Sequence, residues 1–130
     1  MVEATTICEE GYTCRSRVGD FELSVDAAGE EGPTPNQVLI ADYASCFVPA
    51  LRVAGQQRDE DDLGRIRVDV EGDLDEDDDL EAIRFHIQLE TDIDDDTLDD
   101  IVERAEDICH VHAALREELH ADIDADAGVV

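Results

Sequence analysis

The segment from Pro35 to about Arg58 most constrains the fold, because it is predicted to be a helix that is apolar on nearly every side. Thr34 is the candidate N-cap, and proline is favoured at the first helical position. Pro49 predicts a kink near Ser45. Five of its residues follow helical spacing and form one apolar stripe: Leu39, Tyr43, Cys46, Ala50 and Val53. The remaining apolar residues lie on the other faces of the helix. Such a pattern is typical of a helix that is buried all round.

The rest of the chain alternates between strands and helices. Residues 2–9 and 12–18 have moderate strand character, and Phe21–Asp26 alternates apolar with polar residues. The clearest predicted hairpin joins residues 66–70 to residues 83–89. Residues 94–96 cap a second helix, residues 112–120 continue it or begin a third, and residues 121–130 are predicted as a last strand. This order predicts an α+β fold with antiparallel sheet, in one domain over residues 1–130.

A helix with apolar residues all round needs cover on every side. Five or six strands from a chain of 130 residues cover one side of it. A second copy of the chain would cover the other side, so we expect a homodimer.

The charge balance excludes several classes of partner. The chain has 37 acidic residues and 9 basic residues, and every basic residue is arginine, which gives a formal charge of −28. This charge repels phosphate, so we expect no nucleic-acid partner and no binding to anionic membranes. Disorder is rejected because 42% of the residues are hydrophobic and patterned. The composition instead indicates a halophilic protein, whose self-repulsion is screened at high salt.

The N-terminus predicts a cytoplasmic protein, because residues 1–6 lack the basic and apolar regions of a signal peptide. The most apolar stretch, Val38–Gly55, is interrupted by Asp42, Pro49 and Arg52, which disfavours a membrane span. Cytoplasmic thiols are kept reduced, so the four cysteines do not require a disulfide framework.

Two cysteines lie on the apolar faces of predicted helices. Cys46 and Cys109 are either a redox pair or small buried apolar residues, and the sequence alone leaves both interpretations open. Cys8 and Cys14, in the N-terminal strands, are interpreted as structural. A reactive thiolate needs nearby positive charge. Arg15 and Arg17 share one strand face and are the candidates to supply it, although exposed ion-paired arginines are the simpler interpretation for each.

The residues 32–47, Gly-Pro-Thr-Pro-Asn-Gln-Val-Leu-Ile-Ala-Asp-Tyr-Ala-Ser-Cys-Phe, resemble the proline-rich entry and cysteine-bearing helix of the OsmC/Ohr family of osmotically induced and organic hydroperoxide resistance proteins. Residues 19–26 are similar to the family's second strand, and the hairpin of residues 66–70 and 83–89 has the same place in the order. Residues 105–111 resemble its second cysteine segment. The resemblance covers nearly the whole chain.

This resemblance implies an intertwined homodimer in which antiparallel sheets wrap around two long central helices. It also implies a thiol peroxidase without a cofactor, which acts on organic hydroperoxides or hydrogen peroxide. By position, Cys46 is the peroxidatic residue, Cys109 resolves its sulfenic acid as a disulfide, and an external dithiol reduces that disulfide. Arg17 is the candidate for the family's activating arginine, and Arg15 is the alternative.

Two departures from the family pattern leave alternatives open. Asn36 stands ten positions before Cys46, where hydroperoxide resistance members have a glutamate that orients the arginine. The second motif, usually Cys-Pro-x-Ser, reads Cys109-His110-Val111-His112. One alternative function is a non-catalytic binding protein of the same fold. A less favoured one is a zinc-type site of Cys46, Cys109 and His112, and the preferred interpretation has no bound metal.

Overall fold

The computed structural model describes residues 1–129. The chain forms two compact units, Met1–Leu39 and Ile40–Val130. In the first unit, strands β1 (Thr5–Ile7), β2 (Thr13–Val18) and β3 (Phe21–Asp26) form an antiparallel sheet in that order. The connection between β2 and β3 has only two residues, and Gly19 adopts a positive φ there that favours glycine.

The two faces of this first sheet differ in character, as the alternation in the sequence predicts. One face carries Arg15, Arg17 and Glu22. The other face carries Cys14 and three large apolar side chains that are substantially exposed; these are Val18 (40%), Phe21 (76%) and Leu23 (48%). The apolar face of the sheet is therefore open in the single chain.

A buried carboxylate organises the loop that follows β3. Asp26 is only 3% exposed, and its carboxylate accepts hydrogen bonds from the backbone N–H groups of Ala28, Glu30 and Glu31 at 2.9, 3.3 and 3.0 Å. The amides of Glu31 and Ala28 hold the pKa of this carboxyl below its usual range. The loop leads into helix α1 (Pro35–Gln56).

Helix α1 begins where the sequence predicts. The Thr34 hydroxyl accepts from the Gln37 N–H at 3.2 Å, and the Gln37 side chain accepts from the Thr34 N–H at 2.9 Å. This reciprocal pair is a capping box. Pro49 lies inside the helix, which continues through it to Gln56.

The second unit packs helices on a three-stranded sheet. After α1 come β4 (Ile66–Leu74), β5 (Leu80–Leu89), α2 (Asp95–Ile108), α3 (His110–Ala114), a single 3₁₀ turn (Glu117–Leu119) and β6 (Asp122–Asp126). Asp94 caps α2 by accepting from the Thr97 N–H at 2.7 Å. The aromatic rings of Tyr43 and Phe47 on α1 pack against Phe85 of β5, with ring centroids 4.6 and 5.4 Å from it.

Two expectations from the sequence are wrong in detail. Strand β6 pairs with β5 in parallel, so the second sheet is mixed and not purely antiparallel. The helical segment between β5 and β6 allows this, because it returns the chain to the end of the sheet from which β5 started. The buried stripe of α1 is also rotated from the predicted one. It consists of Tyr43, Phe47, Ala50, Leu51 and Ala54, whereas Val53 is 41% exposed.

Candidate functional site

The structure brings Cys46 and Cys109 together, although they lie far apart in the chain. Cys46 is half-buried in the middle of α1. Cys109 lies at the junction of α2 and α3 and is 1% exposed. The Cys46 side chain interacts with the Cys109 thiol and, after burial, contributes to raising the pKa of Cys109. The two thiols are therefore neighbours, and Cys46 is the more exposed of the two.

Two opposed influences act on the Cys109 thiol. Burial is the largest and raises its pKa, because the thiolate loses its hydration. Backbone N–H groups at the start of α3 act in the other direction. The His112 N–H donates to Cys109 Sγ at 3.4 Å, and the Val111 amide also favours the thiolate. Cys109 is therefore held as a thiol at neutral pH, with donors already placed for the charge it would acquire on losing its proton.

A polar network lies beside the two cysteines. The Tyr43 hydroxyl, one helical turn before Cys46, lies 2.6 Å from Nδ1 of His112. The same hydroxyl accepts from the Ala121 N–H at 3.0 Å. The rings of His112 and His120 stack with centroids 3.8 Å apart, and His120 Nε2 lies 3.1 Å from the Leu115 carbonyl oxygen.

Burial favours the neutral forms of Tyr43 and His112. Burial raises the pKa of Tyr43, so its hydroxyl keeps its proton. Burial, and then the neighbouring His120, lower the pKa of His112, against a weaker opposite influence of Asp107. Burial also raises the pKa of Glu106, which the nearby Glu103 and Asp107 reinforce. The Tyr43 hydroxyl and the His112 ring near Cys109 are therefore uncharged at neutral pH.

The other predicted site residues belong to the first unit. Arg15 and Arg17 line one open groove of the first sheet, which confirms that they share a face. Arg15 Nε lies 3.9 Å from a Glu22 carboxylate oxygen, and Arg17 Nε donates to the Gly19 carbonyl at 3.4 Å. Asn36 lies in the first turn of α1. The roles of Arg17 and Asn36 toward Cys46 stay predictions.

The alternative metal site is not supported by the geometry. Over residues 1–129, the groups of three or more side chains close enough to share an ion are His86 with Asp124 and Asp126, and Asp75 with Asp77 and Asp79. Cys46, Cys109 and His112 do not form such a group. His112 meets the Cys109 sulfur through its backbone N–H, while its ring nitrogen Nδ1 is engaged by Tyr43.

Helix α1 is long and apolar enough to cross a membrane by length and composition alone. Asp42, Pro49 and Arg52 interrupt the apolar stretch and disfavour a membrane span. In the structure, Tyr43, Phe47 and Leu51 are fully buried in the protein core. This packing accounts for the apolar character of α1 as a core helix.

Comparison with known proteins agrees with this architecture. A family model for OsmC-like proteins matches residues 28–124. The chain belongs to the OsmC-like family. A relative from Haloferax volcanii, described as an uncharacterized protein, is 53% identical over 122 residues, which cover 94% of this chain and 92% of the relative.

Solved structures of OsmC-like proteins have the same fold. An OsmC-like protein from Mycoplasma pneumoniae superposes with a TM-score of 0.82 at 15% identity, covering 98% of this chain and 95% of that one. The organic hydroperoxide resistance protein OhrB of Bacillus subtilis superposes with a TM-score of 0.74 at 21% identity, covering 97% of this chain and 98% of that one. The predicted OsmC-like α+β fold is therefore confirmed.

Sequence reasoning missed two features of this OsmC-like chain. The contact of Tyr43 with His112 joins residues 69 positions apart, and the sequence predicted Tyr43 only as part of an apolar stripe. The available signal was His112, which stands where the family's Cys-Pro-x-Ser motif has serine. The second feature is the proximity of Cys8 to Cys14. The β1–β2 register ends with Ile7 opposite Arg15, and its next step would place these two cysteines opposite each other.

Proposed function

We propose that this OsmC-family protein is a thiol peroxidase that reduces organic hydroperoxides or hydrogen peroxide through a Cys46–Cys109 disulfide cycle. The observation that carries the proposal is that the half-buried Cys46 side chain lies beside the buried Cys109 thiol. Family membership supports it, because a structural relative is named an organic hydroperoxide resistance protein.

The difference in burial supports the roles that the family resemblance implies for the two cysteines. Cys46 is the more accessible thiol, so it meets the peroxide, and Cys109 is enclosed, so it meets only Cys46. The Cys46 thiolate attacks one peroxide oxygen and the O–O bond breaks, so that Cys46 becomes a sulfenic acid. The other oxygen gains a proton and leaves as an alcohol or water. Cys109 then attacks the Cys46 sulfur, which forms the disulfide and releases water.

An external dithiol closes the cycle by two exchange steps. Its first thiolate attacks the disulfide, and its second displaces the protein thiol, so that the reductant leaves as a disulfide and both cysteines regain their protons. The α3 amides that face Cys109 Sγ stabilise it as a leaving thiolate. We assign the activation of the Cys46 thiolate to Arg17, with Arg15 as the alternative, and an orienting role for that arginine to Asn36.

The proposal includes a homodimer. The apolar face of the first sheet exposes Phe21 and Leu23, and α1 exposes Val53 on the side away from its buried stripe. A second copy would cover these surfaces, as the family architecture implies. We place this enzyme in the cytoplasm, where its four free thiols would be kept reduced.

Thiol titration before and after one equivalent of organic hydroperoxide tests the proposal. The experiment uses Cys8→Ser/Cys14→Ser protein, so that only Cys46 and Cys109 are counted. We expect the loss of both thiols and their recovery with a dithiol. Adding Cys46→Ser should abolish the reaction, and adding Cys109→Ser should leave a sulfenic acid without a disulfide. Absence of any thiol loss would contradict the peroxidase and favour a non-catalytic binding protein.

Replacing Arg17 and Arg15 separately by glutamine identifies the activating arginine.

A further inference from the structure

A second pair of cysteines lies at the end of the β1–β2 hairpin. The register of these strands pairs Thr6 with Ser16 and Ile7 with Arg15. Continued one step beyond the end of β1, this register places Cys8 opposite Cys14. Thr6 and Ser16 lie on the same face as this pair, and their hydroxyl oxygens are 2.8 Å apart. Side chains that oppose each other on this face are therefore in contact.

The two thiols follow this pattern. The Cys14 side chain interacts with the Cys8 thiol, and this interaction is the largest cause of the raised pKa of Cys8. Cys8 Sγ also donates to the Gly11 carbonyl at 3.3 Å. Opposed residues in antiparallel strands have Cα atoms about 4.5 or 5.5 Å apart. Both distances fall within the range of about 4.4–6.8 Å that disulfides occupy, so the backbone needs no rearrangement to bridge them.

Access and charge define what this pair can react with. Cys8 is exposed and Cys14 is half-buried, in contrast to the enclosed Cys109. Glu9 and Glu10 follow Cys8 directly, and Arg15 points to the opposite face of the sheet from Cys14. The local field therefore disfavours thiolates and repels anionic reagents, while it attracts cationic ones.

We propose that Cys8 and Cys14 form a second dithiol–disulfide couple, at the end of the sheet opposite the β2–β3 turn that carries Phe21. This couple exchanges with low-molecular-weight disulfides, independently of Cys46 and Cys109. In the first step, the Cys8 thiolate attacks the external disulfide, forms a mixed disulfide and releases one thiolate. Cys14, after losing its proton, then attacks the Cys8 sulfur, which closes the cross-strand disulfide and releases the second thiolate. The pair loses two electrons and two protons, and the external disulfide gains both as two thiols.

The test uses full-length Cys46→Ser/Cys109→Ser protein and the cationic disulfide cystamine. After alkylation of the remaining thiols, mass spectrometry should find a peptide in which Cys8 is bonded to Cys14, with no cystamine adduct. Adding Cys14→Ser should leave a persistent mixed disulfide on Cys8. The matched control adds Cys14→Ser and Thr13→Cys, which moves the second thiol to the other face of the strand and should prevent closure. Stable adducts on both Cys8 and Cys14, or a disulfide between two chains, would overturn the proposal.

Two measurements test whether the fold holds Cys8 and Cys14 in position to form a disulfide: the equilibrium constant for disulfide closure and the dependence of the reaction rate on salt. The equilibrium constant for closure should be at least about tenfold larger in folded protein than in urea, since the strand register holds the thiols together. Equal constants would contradict the geometric argument. At low salt, cystamine should react faster than the anionic oxidised glutathione, and the difference should shrink near 1 M salt, where the screening length is about 3 Å. Neither measurement depends on peroxidase activity. A negative result for the Cys8–Cys14 couple would therefore leave the proposed peroxidase function untouched.

Discussion

The Tyr43 hydroxyl lies 2.6 Å from Nδ1 of His112 and links helix α1 to helix α3 beside Cys109. The hydroxyl also accepts a hydrogen bond from the Ala121 N–H, so its own proton is directed to His112. His112 Nδ1 is therefore the acceptor, and the ring proton of the neutral imidazole lies on Nε2. One hydroxyl thus joins three segments of the chain around the candidate site.

Replacing Tyr43 by phenylalanine should destabilise the protein. Tyr43 is fully buried, and the change leaves the His112 ring nitrogen and the Ala121 N–H without their partner. Leaving buried polar groups unpaired costs about 1–3 kcal/mol, which urea unfolding would measure as a lower midpoint. The control is Tyr12→Phe, because Tyr12 is 73% exposed. Equal midpoints for wild type and Tyr43→Phe would show that the network contributes no stability.

The folding stability should depend on pH through His112. Burial lowers its pKa from the ordinary value of 6.5, so the folded protein favours the neutral ring. The unfolded chain binds the proton more readily, and stability rises with pH across this window. The contribution of His112 is therefore present above pH 6.5 and is lost as the pH falls from 6.5 towards its folded pKa.

The measurement is the free energy of unfolding between about pH 5 and 8, in wild type and in His112→Asn. Asparagine can accept the Tyr43 hydrogen bond but does not titrate, so the variant should have the weaker pH dependence. The carboxylates of Glu106 and Asp107, and the imidazole of His120, remain in both proteins and cancel in the comparison. His110→Asn changes an exposed histidine and should follow wild type. Identical profiles for wild type and His112→Asn would contradict this assignment.

Local chemistry made much of the fold predictable. The Thr34–Gln37 capping box and the Asp94 cap are set by neighbouring residues, so the starts of α1 and α2 follow from the sequence. The alternation of apolar and polar residues likewise located β3 and the β4–β5 hairpin. These signals depend on residues within a few positions of one another.

Long-range features were harder to predict. The direction of β6 depends on how the helices between β5 and β6 return the chain, which residues 121–130 do not encode locally. The apolar residues of α1 fit several stripes, and only packing against Phe85 selects the one that contains Tyr43 and Phe47. The family resemblance identified Cys46 and Cys109 as a pair, but it did not predict the contact between Tyr43 and His112.

The exposed apolar face of the first sheet predicts an oligomer in solution. Phe21 is 76% exposed, and a charged residue there should oppose burial against a second copy. We expect wild type to have the mass of a dimer by light scattering, and Phe21→Glu to shift towards the monomer. Glu22→Gln is the matched control, because Glu22 is the adjacent residue on the polar face of β3. A wild-type monomer at micromolar concentration would contradict the proposed homodimer.

The net charge of −28 predicts a strong dependence of stability on salt. Raising the salt concentration from about 0.1 M to 1 M shortens the screening length from about 10 Å to 3 Å, which weakens repulsion among the carboxylates. The thermal unfolding midpoint should therefore rise steeply with KCl. Sucrose at matched osmolality is the control, since it stabilises proteins without screening charge. Equal effects of KCl and sucrose would exclude electrostatic screening as the cause.

The burial of Cys109 predicts what happens to Cys46 when its partner is removed. In wild type, the buried Cys109 thiol lies beside Cys46, so it should capture the sulfenic acid before a second peroxide molecule arrives. In Cys109→Ser, the sulfenic acid has no resolving thiol and should be oxidised further to the sulfinic acid, which dithiols do not reverse. Mass spectrometry after excess hydroperoxide should therefore find two added oxygen atoms on Cys46 in the variant and a disulfide in wild type. Cys14→Ser provides the control for loss of an unrelated cysteine, and it should protect Cys46 as wild type does. If Cys46 forms sulfinic acid at the same rate in wild type and in Cys109→Ser, Cys109 does not resolve the sulfenic acid.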